Sequence, residues 1–89
     1  MPPRPNPSHD LATIELEIPV AGPVEVAVFD VAGRLVRELV RRPMSPGPHR
    51  IRWDLADRGA HRVGAGVYFV RVTAAENQAM QKLVAIPQR

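Results

Sequence analysis

The sequence predicts an all-β fold, an antiparallel sandwich of six to seven strands, on three observations. Short runs rich in valine and isoleucine alternate apolar with polar residues, as a strand with one buried face does. Clusters of proline, glycine and aspartate punctuate these runs at intervals of roughly 10–12 residues, which suits strands and is short for helices. No stretch combines a 3.6-residue apolar period with capping residues at both ends.

The chain is organised around Val24 to Val40. Val24, Val26 and Val28 alternate with Glu25, Ala27 and Phe29 to make one strand. Asp30-Val31-Ala32-Gly33 breaks the pattern with turn chemistry: Asp30 can accept backbone N–H groups ahead of it, and Gly33 can take the positive φ of a three-residue hairpin loop. The chain is extended again from Arg34 to Val40. There Val36 fits the inward register and Leu39 does not, which predicts a bulge or a bend near Arg37 and Glu38.

Residues 1–12 read as a proline-rich N-terminal arm or linker, and 13–89 as the sandwich domain. Four prolines in the first seven residues exclude helix and interior strand there. Thr13 to Ile18 is the first strand, with Ile14, Leu16 and Ile18 on one face and Glu15 and Glu17 on the other. After the central hairpin, Arg42 to Pro48 holds three prolines and a glycine and reads as a long turn, relieved by Gly47. His49 to Asp54 then places His49, Ile51 and Trp53 on one face.

Ala56 to Gly66 has no apolar period and is the longest loop; Gly66 lets the chain turn into the next strand. Val67 to Ala74 is the most β-prone run, with Tyr68, Val70 and Val72 sharing a face. Ala75 to Gln78 turns the chain into the closing strand, Met80 to Ile86, where Leu83 and Ala85 oppose Lys82 and Val84. The predicted core is Ile14, Leu16, Val26, Val28, Val36, Ile51, Trp53, Tyr68, Val70 and Val72.

Composition narrows the function classes. Eighty-nine residues hold one domain, which buries about 60–65% of the surface its unfolded chain exposes. There is no cysteine, so no disulfide or cysteine-ligated metal can staple it. No apolar run approaches the roughly 20 residues of a membrane-spanning helix. Met1 to Pro7 lacks the apolar segment of a signal peptide, so a secreted form implies a longer precursor.

The net charge is +3, and eleven of the twelve basic residues are arginine. Six of these, Arg34, Arg37, Arg41, Arg42, Arg50 and Arg52, fall within nineteen residues. Without interleaved aromatics the span reads as solvated strand faces, with no nucleic-acid partner; an anion or glycan binder is the competing reading.

Catalysis has little to work with. Ser8 and Ser45 lie in proline-rich turns, and His9, His49 and His61 have no metal-ligand spacing. Asp54 and Asp57 read as turn residues bonding loop amides, since a calcium loop needs more oxygen ligands and a downstream glutamate. Gly64-Ala65-Gly66 precedes a strand and lacks either phosphate-loop fingerprint. Neither an enzyme nor a cofactor-binding or metal site is expected.

The pieces occur in a telling order. Asn6-Pro7 precedes Thr13-Ile14-x-x-x-Ile18-Pro19; Val24-x-Val-x-Val-Phe29-Asp30-Val-x-Gly33-Arg34 follows; then come Pro46-Gly47-x-His49 with Trp53-Asp54, Gly66-Val-Tyr68-Phe-Val-Arg71-Val, and Lys82-Leu83-Val84. This order resembles the immunoglobulin-like C-terminal module shared by type IX secretion (type A) sorting domains and flagellar hook-capping proteins. Leu55 departs from it, because the family often has glycine after Trp-Asp, and Ser8 to Leu11 stand where a second Asn-Pro is usual.

The resemblance implies an immunoglobulin/fibronectin-III-like sandwich with Asp30, Gly33, Gly47, Trp53, Asp54, Gly66 and Tyr68 as turn and core residues. It implies a non-catalytic C-terminal sorting or anchoring module of a secreted bacterial protein, located outside the cell or on its surface. Its partners would be export machinery or neighbouring domains, and Lys82, Leu83 and Val84 would lie in the sorting strand. The alternative is a structural subunit of an extracellular filament or cap-like assembly, in which the chain is a homo-oligomer.

Overall fold

The computed structural model describes residues 11–86. Six antiparallel strands form two sheets: β1 (Ala12–Ile18) pairs with β4 (Gly47–Trp53), and β3 (Leu35–Met44), β2 (Gly22–Phe29), β5 (Gly66–Ala74) and β6 (Asn77–Ala85) lie side by side in that order. No helix occurs among the described residues, and the architecture is the all-β sandwich that the alternation of apolar residues predicts. The first ten residues, which include most of the proline arm, lie outside the described residues.

The core sits between the sheets. Ile14, Ile18, Val24, Val26, Val28, Trp53 and Val70 are almost completely buried, and Ile51 is nearly so. Leu16, Val36, Tyr68 and Val72 pack against that core half-buried rather than inside it. Met44 and Leu55 join it as well, from outside the predicted strands.

Met44 marks a correction. Arg42 to Pro48 is not a long turn: β3 runs on to Met44 opposite Gly22, and β4 begins at Gly47. Only Ser45 and Pro46 separate the strands, and the chain changes sheets there. Pro43 is tolerated because β3 is an edge strand, where a missing N–H need break no ladder bond. Gly47, at φ +115°, supplies the conformation that makes so short a crossing feasible.

The bulge or bend expected near Arg37 and Glu38 is two bulges. Val40 faces Val26 while Glu38 faces Ala27, leaving Leu39 as an extra residue; Arg37 faces Val28 while Leu35 faces Phe29, leaving Val36 extra. Each insertion resets the side-chain alternation, so Val36 and Leu39 can both lean on the core. The last turn is also tighter than expected. Asn77 already pairs with Ala74, so the loop is Ala75-Glu76, with Ala75 at φ +54°.

Candidate functional site

The loops at one end of the sandwich repeat a single construction. In the β2–β3 loop the Asp30 N–H donates to the Arg34 carbonyl at 3.0 Å and the Gly33 N–H to the Asp30 carbonyl at 3.0 Å. The Asp30 carboxylate accepts the Ala32 and Arg34 amides, each at 2.9 Å, and Gly33 holds φ +83°. Within the β4–β5 loop the Asp57 N–H donates to the His61 carbonyl at 2.8 Å and the Ala60 N–H to the Asp57 carbonyl at 3.0 Å. The Asp57 carboxylate accepts the Gly59 and His61 amides at 2.9 and 3.0 Å, and Ala60 takes φ +66°. The two loops are the same aspartate-headed turn with glycine at the strained position in one and alanine in the other.

These bonds set the electrostatics. The Arg34 amide holds the Asp30 carboxyl below its ordinary 3.8, partly opposed by desolvation. The His61 amide does the same for Asp57. Both carboxylates are occupied as acceptors, which suits turn building and leaves them poor proton carriers.

Beside the loops the sheets are tied together. Trp53 Nε1–H donates to the Ala56 carbonyl at 2.9 Å, and Arg37 Nη1 reaches the same carbonyl at 3.1 Å and Asp54 Oδ1 at 2.9 Å. Asp54 also accepts the Ala56 amide at 3.2 Å. Trp53 meets Tyr68 edge to face, and the Tyr68 hydroxyl donates to the Gly64 carbonyl at 2.7 Å. A tyrosine bonded to backbone a few residues upstream is a corner device of immunoglobulin-like sandwiches. Burial, with the Asp30 charge adding to it, pushes the phenol pKa up.

A shallow cleft of about 580 Å³ opens between the two loops, lined by Asp30, Arg34, Asp57, Arg58 and Tyr68 among others. Nothing in it pairs a nucleophile with a base. His49 stands well away on β4, where its Nε2–H donates to the Ser45 carbonyl at 2.7 Å. No group of three or more potential metal ligands occurs among the described residues. Among the described residues no helix is long and apolar enough to cross a membrane.

The six clustered arginines do not form one surface. Arg34 pairs with Asp30, Arg37 with Asp54 and Arg50 with Glu15, at 3.1, 2.9 and 3.3 Å. Arg41 and Arg42 lie on β3 of the larger sheet, opposite Glu25 and Val24, while Arg52 lies on β4 of the smaller sheet opposite Thr13.

Lys82, Leu83 and Val84 lie on β6, one edge of the four-stranded sheet, far from the loop cluster's turn residues in sequence. Leu83 faces Tyr68 and packs on the core; Lys82 and Val84 face Phe69 and Val67 on the outer side. Across the sandwich, Gln81 Nε2 donates to the Glu15 carbonyl at 3.3 Å and clips β6 to β1.

The two edges of this sheet differ in their defences. Edge β3 carries Arg37, Glu38, Arg41, Arg42, Pro43 and two bulges, all devices that discourage a further strand. Edge β6 pairs nine residues with β5 without a register shift and carries one charge, Lys82. Among the described residues no strand covers its far side. The sequence already shows the closing strand, Met80 to Ile86, to carry one lysine and little other protection; the contrast with β3 depends on which strands end up at the edges.

Comparison with known proteins fits this geometry. The family model described as the secretion system C-terminal sorting domain matches residues 5–86. Among solved structures, PorU from Porphyromonas gingivalis, described as dimeric and latent, superposes with a TM-score of 0.69 at 27% identity, over 94% of this chain and 9% of its own. FlgD from P. aeruginosa superposes with a TM-score of 0.68 at 22% identity, over 84% of this chain and 59% of its own. The chain thus spans a small part of the first protein and under two thirds of the second. No curated protein matches it.

Proposed function

The chain belongs to the secretion system C-terminal sorting domain family, and from that premise we propose that it is a non-catalytic address read through the open edge of β6. Membership means a sorting signal for secretion, and with it contact with the secretion machinery and a secreted parent protein. The finer reading is that this module sits at the C-terminal end of a bacterial precursor and directs it to the outside or the surface of the cell. The observation that carries it is the undefended β6 edge. An unpaired strand offers a row of N–H and C=O groups on which another chain can add a strand, with side chains at alternate positions giving specificity. Lys82 and Val84 are the outward side chains of that row, and Leu83 anchors it to the core.

The likeness to FlgD, at 22% identity, bears on the fold and gives no separate support to an assembly role. The test is a reporter enzyme fused ahead of residues 1–89 and expressed in a bacterium that carries such an export system. Reporter activity in the medium or on intact cells supports the reading. Retention in the periplasm, alongside export of a fusion to a known family member, sinks it.

A further inference from the structure

We propose that the outer face of the four-stranded sheet is a self-association surface, on which a second copy of this chain packs face to face. The face is more apolar than a solvated sheet needs to be. Phe29 and Phe69 lie side by side in register on its two middle strands, at the end that leads into the Asp30 loop. Met80, Val84 and Leu35 flank them at 60%, 44% and 40% exposure. The Arg71 guanidinium lies over the Phe29 ring at 4.6 Å, so the cation is laid flat on the aromatic surface. Contiguous exposed apolar surface of this kind marks an interaction site.

Charge selects the occupant. The β2–β3 half of the face carries Glu25 and Glu38, with Arg41 beside Glu25, and the β5–β6 half carries Arg71 and Lys82. A two-fold axis parallel to the strands, midway between β2 and β5, lays β3 over the partner copy's β6 and β2 over its β5. The acidic half of each copy then covers the basic half of the other. Because Glu38 faces Ala27, Ala27 faces Arg71, and Arg71 faces Met80, the rotation brings Glu38 over Met80 of the second copy. Lys82 is the next residue on that face, about 7 Å along the strand and within reach of a glutamate. A surface complementary to itself about a two-fold axis is what a closed dimer requires.

Size limits the affinity. Four strands about 4.8 Å apart and some 30 Å long present roughly 600 Å² per copy, at the small end of specific interfaces, so the dimer is a transient one. It forms where copies are concentrated, as on a surface or in a crowded assembly. This surface shares the Lys82 and Val84 side chains with the β6 row assigned to sorting but not that strand's backbone edge, and Glu38 on β3, which only the dimer uses, tells the two apart.

The experiment is sedimentation velocity of the 89-residue chain from about 10 µM to 1 mM, the range a weak interface needs. The expected result is reversible dimerisation, weakened at least about tenfold by Met80→Glu and by Glu38→Lys. Lys82→Glu alone weakens it too. A mixture of the Glu38→Lys and Lys82→Glu chains, however, forms a heterodimer in which both cross-copy pairs are again opposite in sign. A chain monomeric at the top of the range contradicts the proposal. So does a dimer indifferent to these changes, or a mixture that gains nothing. Thermal melts of the variants confirm that each is folded.

Discussion

Tyr68 stands edge-on to Trp53, with ring centroids 5.6 Å apart and planes at 72°, and the pair joins the two sheets. Trp53 comes from β4 and is completely buried; Tyr68 comes from β5 and fixes its hydroxyl on Gly64. Each ring has its polar atom satisfied, so the pair keeps its apolar area without a desolvation penalty. Trp53→Ala removes the largest buried side chain and is expected to cost about 3–5 kcal/mol. Tyr68→Phe loses only the hydroxyl bond, about 1 kcal/mol. Urea unfolding followed by Trp53 fluorescence measures the second; a water-exposed emission maximum in the native state would contradict the core assignment.

The twin aspartate loops make opposite predictions at equivalent positions. Gly33→Val puts a β-branched residue at φ +83° and is expected to cost more than about 1 kcal/mol. Ala60→Gly relieves φ +66° and is expected to stabilise by up to about 1 kcal/mol, after the glycine's entropy cost. Melting temperatures of the two variants should move in opposite directions. Equal shifts would mean that the loops are not equivalent.

Acid should loosen both loops. Asp30 and Asp57 have folded-state pKa values below the ordinary 3.8, so each contributes stability that is complete above that value. The contribution is lost as pH falls through the lowered folded values, where the native carboxylates protonate. Thermal melts between about pH 5 and pH 2 should therefore show a fall that the Asp30→Asn, Asp57→Asn double variant shares less steeply. An unchanged acid slope in the double variant would show that other carboxylates carry it.

Leu55 combines full burial with φ +59°, a conformation that costs a leucine about 1–2 kcal/mol. Its carbonyl accepts the Val63 N–H at 2.8 Å, so the loop folds back over it and closes the core. A glycine here would relieve the backbone and lose the side chain's burial, worth about 2–5 kcal/mol. Leu55→Gly is thus expected to be a net loss of about 1–3 kcal/mol in chemical unfolding. A gain in stability would show that strain outweighs packing at this site.

Leu55 also shows where the sequence stopped being legible. The strands, the Gly33 hairpin and most of the core could be read because alternation and turn residues are local signals. Leu55 has no strand neighbour to give it a phase, and its burial comes from a loop that closes over it. Met44 was hidden by the prolines around it, which read as a turn because an edge strand's tolerance of Pro43 is a property of the sheet. Leu39 and Val36 betrayed a broken phase, and two insertions could not be told from one. The matching Asp57 loop has the same heading residue as the Asp30 loop, but alanine at its positive-φ position concealed the kinship. The contrast between the guarded β3 edge and the open β6 edge arises only once strand order is known.

The β6 edge is tested most directly by export of a reporter fused ahead of the chain, comparing three versions in one strain. These are the parent sequence, a Lys82→Glu, Val84→Glu variant at two exposed β6 positions, and a Glu38→Lys variant on the opposite edge. Circular dichroism of each purified chain confirms the fold. If β6 carries the address, the parent and Glu38→Lys fusions reach the outside in equal yield and the β6 double variant stays inside the cell. Full export of the folded double variant would contradict that assignment.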